Sequence, residues 1–175
     1  MIESLHHRYA ALLYDKCVRI LADAGEAEDA VQETMLSAYS ALDRFDESLG
    51  GYLPWLYRIA TNVCLKQLRT RRRKGATPCD TLAERVSADA TLDPDATDPR
   101  GRDPVRRLHY RRMLEQLVDR VDKRTLEIVV AHFVDGLDQS EIAKQLGISR
   151  RAVVKRLSKL RGREHAELAE ALQHG

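Results

Sequence analysis

Residues 150–163 hold seven cations and no carboxylate: Arg150, Arg151, Lys155, Arg156, Lys159, Arg161 and Arg163. Fixed positive charge at that density suits a polyanion. Phosphate neutralisation supplies most of the affinity of such a surface, and long guanidinium donors also read base edges, guanine above all. A second run, Arg58 to Lys74, again has seven basic residues and no acidic one. Groups for covalent chemistry are missing from the pattern. His6, His7, His109, His132, His165 and His174 share no ligand spacing, and Cys17, Cys64 and Cys79 form no CxxC pair. There is no glycine-rich phosphate loop and no nucleophile–base pairing. The chain is expected to bind rather than catalyse, with neither cofactor nor metal.

The first cluster needs an element that presents it. Asp138, followed three residues later by Glu141, makes a capping box for a helix over "SEIAKQL". Gly147 suits the left-handed conformation of a tight turn, and Ser149 caps the next helix. Ala143 is small where two helices cross, and Ile142, Leu146, Ile148, Val153 and Leu157 supply a shared core. This is a helix-turn-helix, whose second helix enters the major groove. At about 100° per residue, Val153, Leu157 and Leu160 face inward while Arg151, Lys155, Ser158 and Lys159 lie opposite. The duplex-contacting set is Ser149, Arg150, Arg151, Lys155, Arg156, Ser158 and Lys159. The competing reading, a solvated basic helix in a protein bundle, does not require the cap, the turn and the small crossing residue together.

The second cluster lies on a helix over "WLYRIATNVCLKQLRTRRRK", with Pro54 in its first turn. Leu56, Ile59, Ala60, Val63 and Cys64 form one side; Arg58, Asn62, Lys66, Arg69 and Arg73 form another. Trp55 projects near the basic side and has two readings, a core residue or a stacking surface for a base. Cations that track phosphates beside an aromatic platform suit a single strand. Two helices precede it. Leu5, Tyr9, Leu12, Leu13, Ile20 and Leu21 pattern the first, Gly25 interrupts, and Ala27, Val31, Met35, Ala38 and Leu42 stripe the second. Downstream, Leu114, Leu117, Val118 and Val121 pattern one helix, and Leu126, Val129, Val130 and Phe133 another.

Residues 76–104 interrupt this periodicity with four prolines, seven acidic residues and three basic ones. Such a composition buries too little surface to offset ordering and reads as a linker. The expected architecture is therefore all-α: a domain at 1–75, the linker at 76–104 and a second domain at 105–175. No apolar run approaches the ~20 residues that span a bilayer. The start, "MIESLHHRYAALLYDK", lacks the basic head and apolar stretch of a signal peptide. A cytoplasmic protein is expected, with Cys17 and Cys64 buried.

"AEDAVQETMLSAYSALDRF" followed by "LPWLYRIATNVCLKQLRTRRR" resembles the second conserved region of extracytoplasmic-function (ECF) sigma factors of the sigma-70 family. "VDGLDQSEIAKQLGISRRAVVKRLSKLR" resembles their fourth. The resemblance implies a promoter-specificity subunit of bacterial RNA polymerase. Its first domain would bind the polymerase clamp, through Asp29, Gln32 and Glu33, and recognise the minus-ten element as it opens. Trp55, Arg58, Asn62, Lys66, Arg69 and Arg73 would then hold single-stranded DNA, and the loop at 45–53 would pocket a flipped base. The second domain would bind the polymerase flap and read the minus-thirty-five element as duplex. Relatives commonly carry a basic residue where Val154 stands, and the loop here is unusually acidic at Asp46 and Glu47. An anti-sigma factor is a further implied partner.

Two promoter elements on the order of 25 base pairs apart are separated by ~80 Å of duplex. A relaxed 29-residue linker spans only ~30 Å, and a fully extended one ~95 Å. The linker must then be held stretched. The alternative, a stand-alone helix-turn-helix regulator of duplex operators, accounts for 105–175 but leaves the basic third helix and the linker without a role.

Overall fold

Stripes of apolar residues at helical spacing wind the first half into three helices. The structure is a computed structural model and describes residues 2–46, 51–75 and 103–160. α1 is Ile2–Leu21, α2 is Ala24–Ser40 and α3 is Tyr52–Arg73, with a 3₁₀ turn at Leu42–Arg44. α4 is Pro104–Leu117, and α5, Lys123–Val129, runs on into a π-helical turn at Val130–Val134. α6, Gln139–Leu146, and α7, residues 150–160, follow. Among the described residues every regular element is helical, as the all-α reading requires. The side chain of Leu5, loop residues 47–50, the stretch 76–102 with Cys79, and the tail 161–175 lie outside the described residues.

The chain forms two units, Met1–Asp122 and Lys123–Gly175. In the first, α1, α2 and α3 pack around Leu13, Ile20, Leu21, Val31, Met35, Leu56, Leu65 and Leu68. Ala27, Ala30, Ala38 and Ala60, all buried, let the helix axes approach closely. Leu12 departs from its expected stripe and is exposed. Buried Lys16 lies over the Tyr57 ring, 4.9 Å from its centroid, so its charge meets an aromatic face. Cys17 and Cys64 are free thiols buried beside each other. The hydrogen bond from Cys64 lowers the Cys17 pKa; that bond, with burial, holds Cys64 well above the ordinary thiol value.

The break between α1 and α2 falls three residues before the expected one. Ala22 takes φ 50° and ends α1, and Asp23 caps α2 by accepting from the Glu26 N–H at 2.9 Å. Gly25 lies inside the first turn of α2. The capping carboxylate, rather than the glycine, decides where the helix starts.

α4 departs further from expectation. Its start absorbs the last two residues of the expected linker, because Asp103 caps it through the Val105 N–H at 3.0 Å and Pro104 opens its first turn. It then packs on α1 and α3, within the first unit. The fully buried Arg111 pairs with Glu26 at 3.1 Å and Glu115 at 2.9 Å and donates to the Leu21 carbonyl. The units therefore divide after Asp122 and not at the linker, since a buried cation needs these partners and finds two of them, Glu26 and Leu21, on the N-terminal helices.

The second unit is built on Ile128, Ala131, Ile142, Ala143, Leu146, Val153 and Leu157, with Leu137 and Ile148 against them. The π-helical turn widens the helix by one residue per turn and shifts its register. Val134 is buried where Phe133 was expected, and Phe133 is left exposed. His132 Nδ1 lies 3.2 Å from the Leu137 carbonyl and ties the turn to the next loop.

Two positions make a reciprocal test of backbone strain. Ala22 holds a positive φ that disfavours side chains; Gly147, at φ 63°, holds the one that glycine tolerates, with no atom near its missing Cβ. A left-handed residue other than glycine costs about 1–2 kcal/mol. Ala22→Gly should raise the stability of the first unit by about 1 kcal/mol and Gly147→Ala should lower that of the second by as much. Urea unfolding followed by circular dichroism reads both.

Candidate nucleic-acid interface

The turn that carries α7 is fixed by three local devices. Asp138 Oδ1 accepts from the Ser140 and Glu141 N–H groups at 2.6 and 2.8 Å, and Glu141 Oε2 accepts from the Asp138 N–H at 2.8 Å. Gly147 ends α6 in the left-handed region. Ser149 Oγ then accepts from the Ala152 N–H at 3.2 Å and starts α7. With Val153 and Leu157 buried, Arg150, Arg151, Lys155, Ser158 and Lys159 are exposed together with Ser149. Leu160, expected inward, is half-buried. Arg156 stands apart: it is half-buried and donates to Thr125 Oγ1 at 2.7 Å, tying α7 to α5. Val154 is exposed on the cationic helix, so that position offers a base edge an apolar contact and no donor.

On α3 the expected stripe is only partly available. Arg58, Lys66 and Arg73 are exposed. Asn62 is half-buried, and its Oδ1 is buried without a hydrogen bond among the described residues. Arg69 is half-buried and donates to the Val118 carbonyl at 3.2 Å. Lys66 meets Glu33 of α2 at 2.8 Å, and Arg71 meets Glu26. The core reading of Trp55 holds only in part. It is half-buried in an aromatic group at the start of α3, 5.1 Å from Phe45 and 6.4 Å from Tyr52 between ring centroids. Phe45 and Tyr52 stack at 4.2 Å, flanking both ends of residues 47–50. Sequence reasoning missed this pair; the signal was two aromatics on either side of the acidic loop in a chain poor in aromatics.

α2 presents a different surface. Asp29, Gln32, Glu33 and Leu36 follow at i, i+3, i+4 and i+7, so they share one face. Asp29 and Gln32 are exposed, Glu33 half-buried, and Leu36 is 69% exposed with Tyr39 near it at 62%. Leu36 and Tyr39 were also missed. Their off-stripe position beside the acidic and amide residues was legible, but a stripe analysis looks inward.

Residues 5–74 match the family Sigma-70 region 2, and residues 111–165 match Sigma-70, region 4. RNA polymerase sigma factor NccH of Alcaligenes xylosoxydans xylosoxydans is 30% identical over 138 residues, covering 79% of this chain and 70% of that one. ECF RNA polymerase sigma factor SigW of Bacillus subtilis is 29% identical over 163 residues, covering 89% of this chain and 81% of its own. The chain belongs to the ECF sigma factors. It is a promoter-specificity subunit of RNA polymerase, and the stand-alone regulator is set aside because that reading leaves the region 2 match unexplained. The fold is also that of CnrH in complex with the cytosolic domain of CnrY, with a TM-score of 0.52 at 24% identity over 97% of this chain and 88% of that one. As a sigma factor the chain thus carries region 2 on α1–α3. Region 4 begins within α4, so the family boundary and the packing boundary do not coincide.

Proposed function

We propose that the two units of this sigma factor grip promoter DNA in two states. The exposed cations of α7, Arg150, Arg151, Lys155 and Lys159 with Ser149 and Ser158, hold the minus-thirty-five element as duplex. Arg58, Lys66, Arg69 and Arg73 on α3 track the phosphates of the separated minus-ten strand, with Trp55 and its aromatic neighbours at the upstream end. Asn62 lends its amide to the same surface. The α2 face, Asp29, Gln32 and Glu33 around Leu36, docks on the polymerase clamp, and the second unit meets the flap. The observation that carries this reading is the second cationic helix. A duplex-binding module has no use for exposed Arg58, Lys66 and Arg73 beside an aromatic group on a separate unit. The chain works in the cytoplasm and supplies no catalytic group of its own. No helix among the described residues is long and apolar enough to cross a membrane. CnrH is bound in its structure to the cytosolic domain of another protein. An anti-sigma partner that covers the α2 face would compete with the polymerase.

Reversing Arg58 and Arg73 to Glu tests the division of labour. Both are exposed, so the fold should tolerate the change. Permanganate reactivity of unpaired thymines at a cognate promoter should fall roughly tenfold or more, because strand phosphates lose their cations. Binding to a duplex fragment carrying only the minus-thirty-five element should stay within about twofold. Equal loss in both assays would remove α3 from the strand-binding role.

A further inference from the structure

We propose that Val154 reads a base: its side chain packs against the 5-methyl group of one thymine in the minus-thirty-five element and makes the protein select a T·A pair there. The proposal rests on the reading of α7 as the duplex-holding helix, and it adds which base one position of that helix takes.

Three observations carry it. The first is placement. At about 100° per residue, Arg151 and Ser158 mark the middle of the outward face of α7, away from buried Val153 and half-buried Leu160. Val154 and Lys155 fall about 50° to either side of that middle, and Arg150 and Lys159 about 90° to either side. All six side chains are exposed. A helix with its side chains is about 10–12 Å across, and the major groove is about 12 Å wide. A helix seated there sets its flanks against the phosphates of the two rims and its middle against the base edges. Arg150 and Lys159 are then the rim cations, and Arg151, Val154, Lys155 and Ser158 face the floor.

The second is chemistry. Arg151, Lys155 and Ser158 bring donors to the floor; Val154 brings none. Donors and acceptors line the major-groove edge of every base pair, and the 5-methyl of thymine is the one apolar group among them. A valine over any other base covers a polar edge without satisfying it, at the cost of desolvating that edge. The contact therefore favours thymine and penalises its rivals at a single position.

The third is that Val154 has no task within its own unit. It is 38% exposed and stands outside the core built on Ile128, Ile142, Val153 and Leu157. A β-branched side chain loses χ1 freedom in a helix, so an outward valine does not help the helix form. The same stiffness suits recognition, since a side chain already held in one rotamer loses little entropy on packing against a base. Exposed Arg150, Arg151, Lys155 and Lys159 around it favour a polyanion over an apolar protein surface as the occupant.

The test uses the full chain assembled with core polymerase and a duplex library randomised across both promoter elements, sequenced before and after selection. The parent should enrich thymine about fivefold or more at one position of the minus-thirty-five element. Val154→Ser should lose that preference, keep those at the other positions and bind core polymerase within about twofold of the parent. Val154→Ile, still apolar and β-branched, should retain the preference, and Val154→Arg should turn the same position towards guanine. Deoxyuridine in place of that thymine isolates the methyl group. Parent affinity should fall about three- to fivefold, the worth of one methyl returned to water, while Val154→Ser should bind both duplexes equally. The deoxyuridine arm needs no variant, so it decides even if a replacement fails to fold. A minus-thirty-five element without an enriched thymine, a parent indifferent to deoxyuridine at every enriched thymine, or a preference unchanged in Val154→Ser overturns the proposal and leaves α7 on the DNA. Loss of polymerase binding in Val154→Ser makes the residue a protein contact and overturns it as well. Enrichment that survives Arg151→Glu combined with Lys155→Glu takes α7 off the DNA, and the proposal falls with the reading beneath it.

Discussion

Arg151→Glu combined with Lys155→Glu should reduce minus-thirty-five-dependent transcription by on the order of 100-fold and leave affinity for core polymerase within about twofold. Both side chains are exposed on one face of α7, one turn apart, opposite buried Val153 and Leu157. Each replacement turns an attraction for phosphate into a repulsion. If either residue also reads a base edge, a bidentate contact worth about 1–3 kcal/mol goes with it. The helix itself should survive. A glutamate at 151 lies in the first turn, where negative charge is favoured by the helix dipole, and a glutamate at 155 can pair with Lys159. Run-off transcription and a polymerase competition assay, both repeated across a salt series, make the measurement. The residual duplex binding should show a shallower salt dependence. Arg156 makes the useful contrast. Its guanidinium holds Thr125 at 2.7 Å, so Arg156→Ala should cost stability of the second unit as well as DNA affinity. Comparable loss of polymerase binding in the double reversal would show that α7 faces the enzyme and not the DNA.

What could be read in the sequence was what is local in the chain. The devices that shape the helix-turn-helix, Asp138 with Glu141, Gly147 and Ser149, act over three or four residues, and all appear as expected. The inward stripes of α2 and α3 were equally legible, because a period of 3.6 maps directly onto burial. Failures came where partners are distant. Nothing near Arg111 announces that it will be buried against Glu26 and the Leu21 carbonyl, some ninety positions away. The expected boundary at residue 105 follows composition and lies between the two family matches, whereas the packing, which keeps α4 with the first unit, follows a charge. The exposure of Phe133 has a second cause: a single π-helical turn breaks the period that the stripe analysis assumes. Asn62 and Arg69 fit the basic stripe by angle, yet neighbouring elements half-bury them, which no helical wheel of α3 alone contains.

Leu36 carries the second large effect. A leucine 69% exposed amid Asp29, Gln32 and Glu33 stabilises nothing within the unit. Fully covering such a side chain is worth about 1.5–3 kcal/mol, or roughly 10- to 100-fold in affinity. An apolar anchor ringed by polar groups is the arrangement in which a few residues dominate an interface. Leu36→Ala should therefore weaken core polymerase binding by about tenfold, and Leu36→Asp by nearer 100-fold, since it adds a third carboxylate to the face. Leu36→Met should stay close to the parent because the volume is kept and the thioether is apolar. Thermal unfolding should move little in all three, as the side chain lies in water. The separation of the two readouts is what makes the experiment decisive. A residue needed for folding loses both, whereas a docking residue loses only the complex. If Leu36→Asp binds polymerase as the parent does, the clamp must meet another surface, and Asp29, Gln32 and Glu33 revert to a solvated helix face.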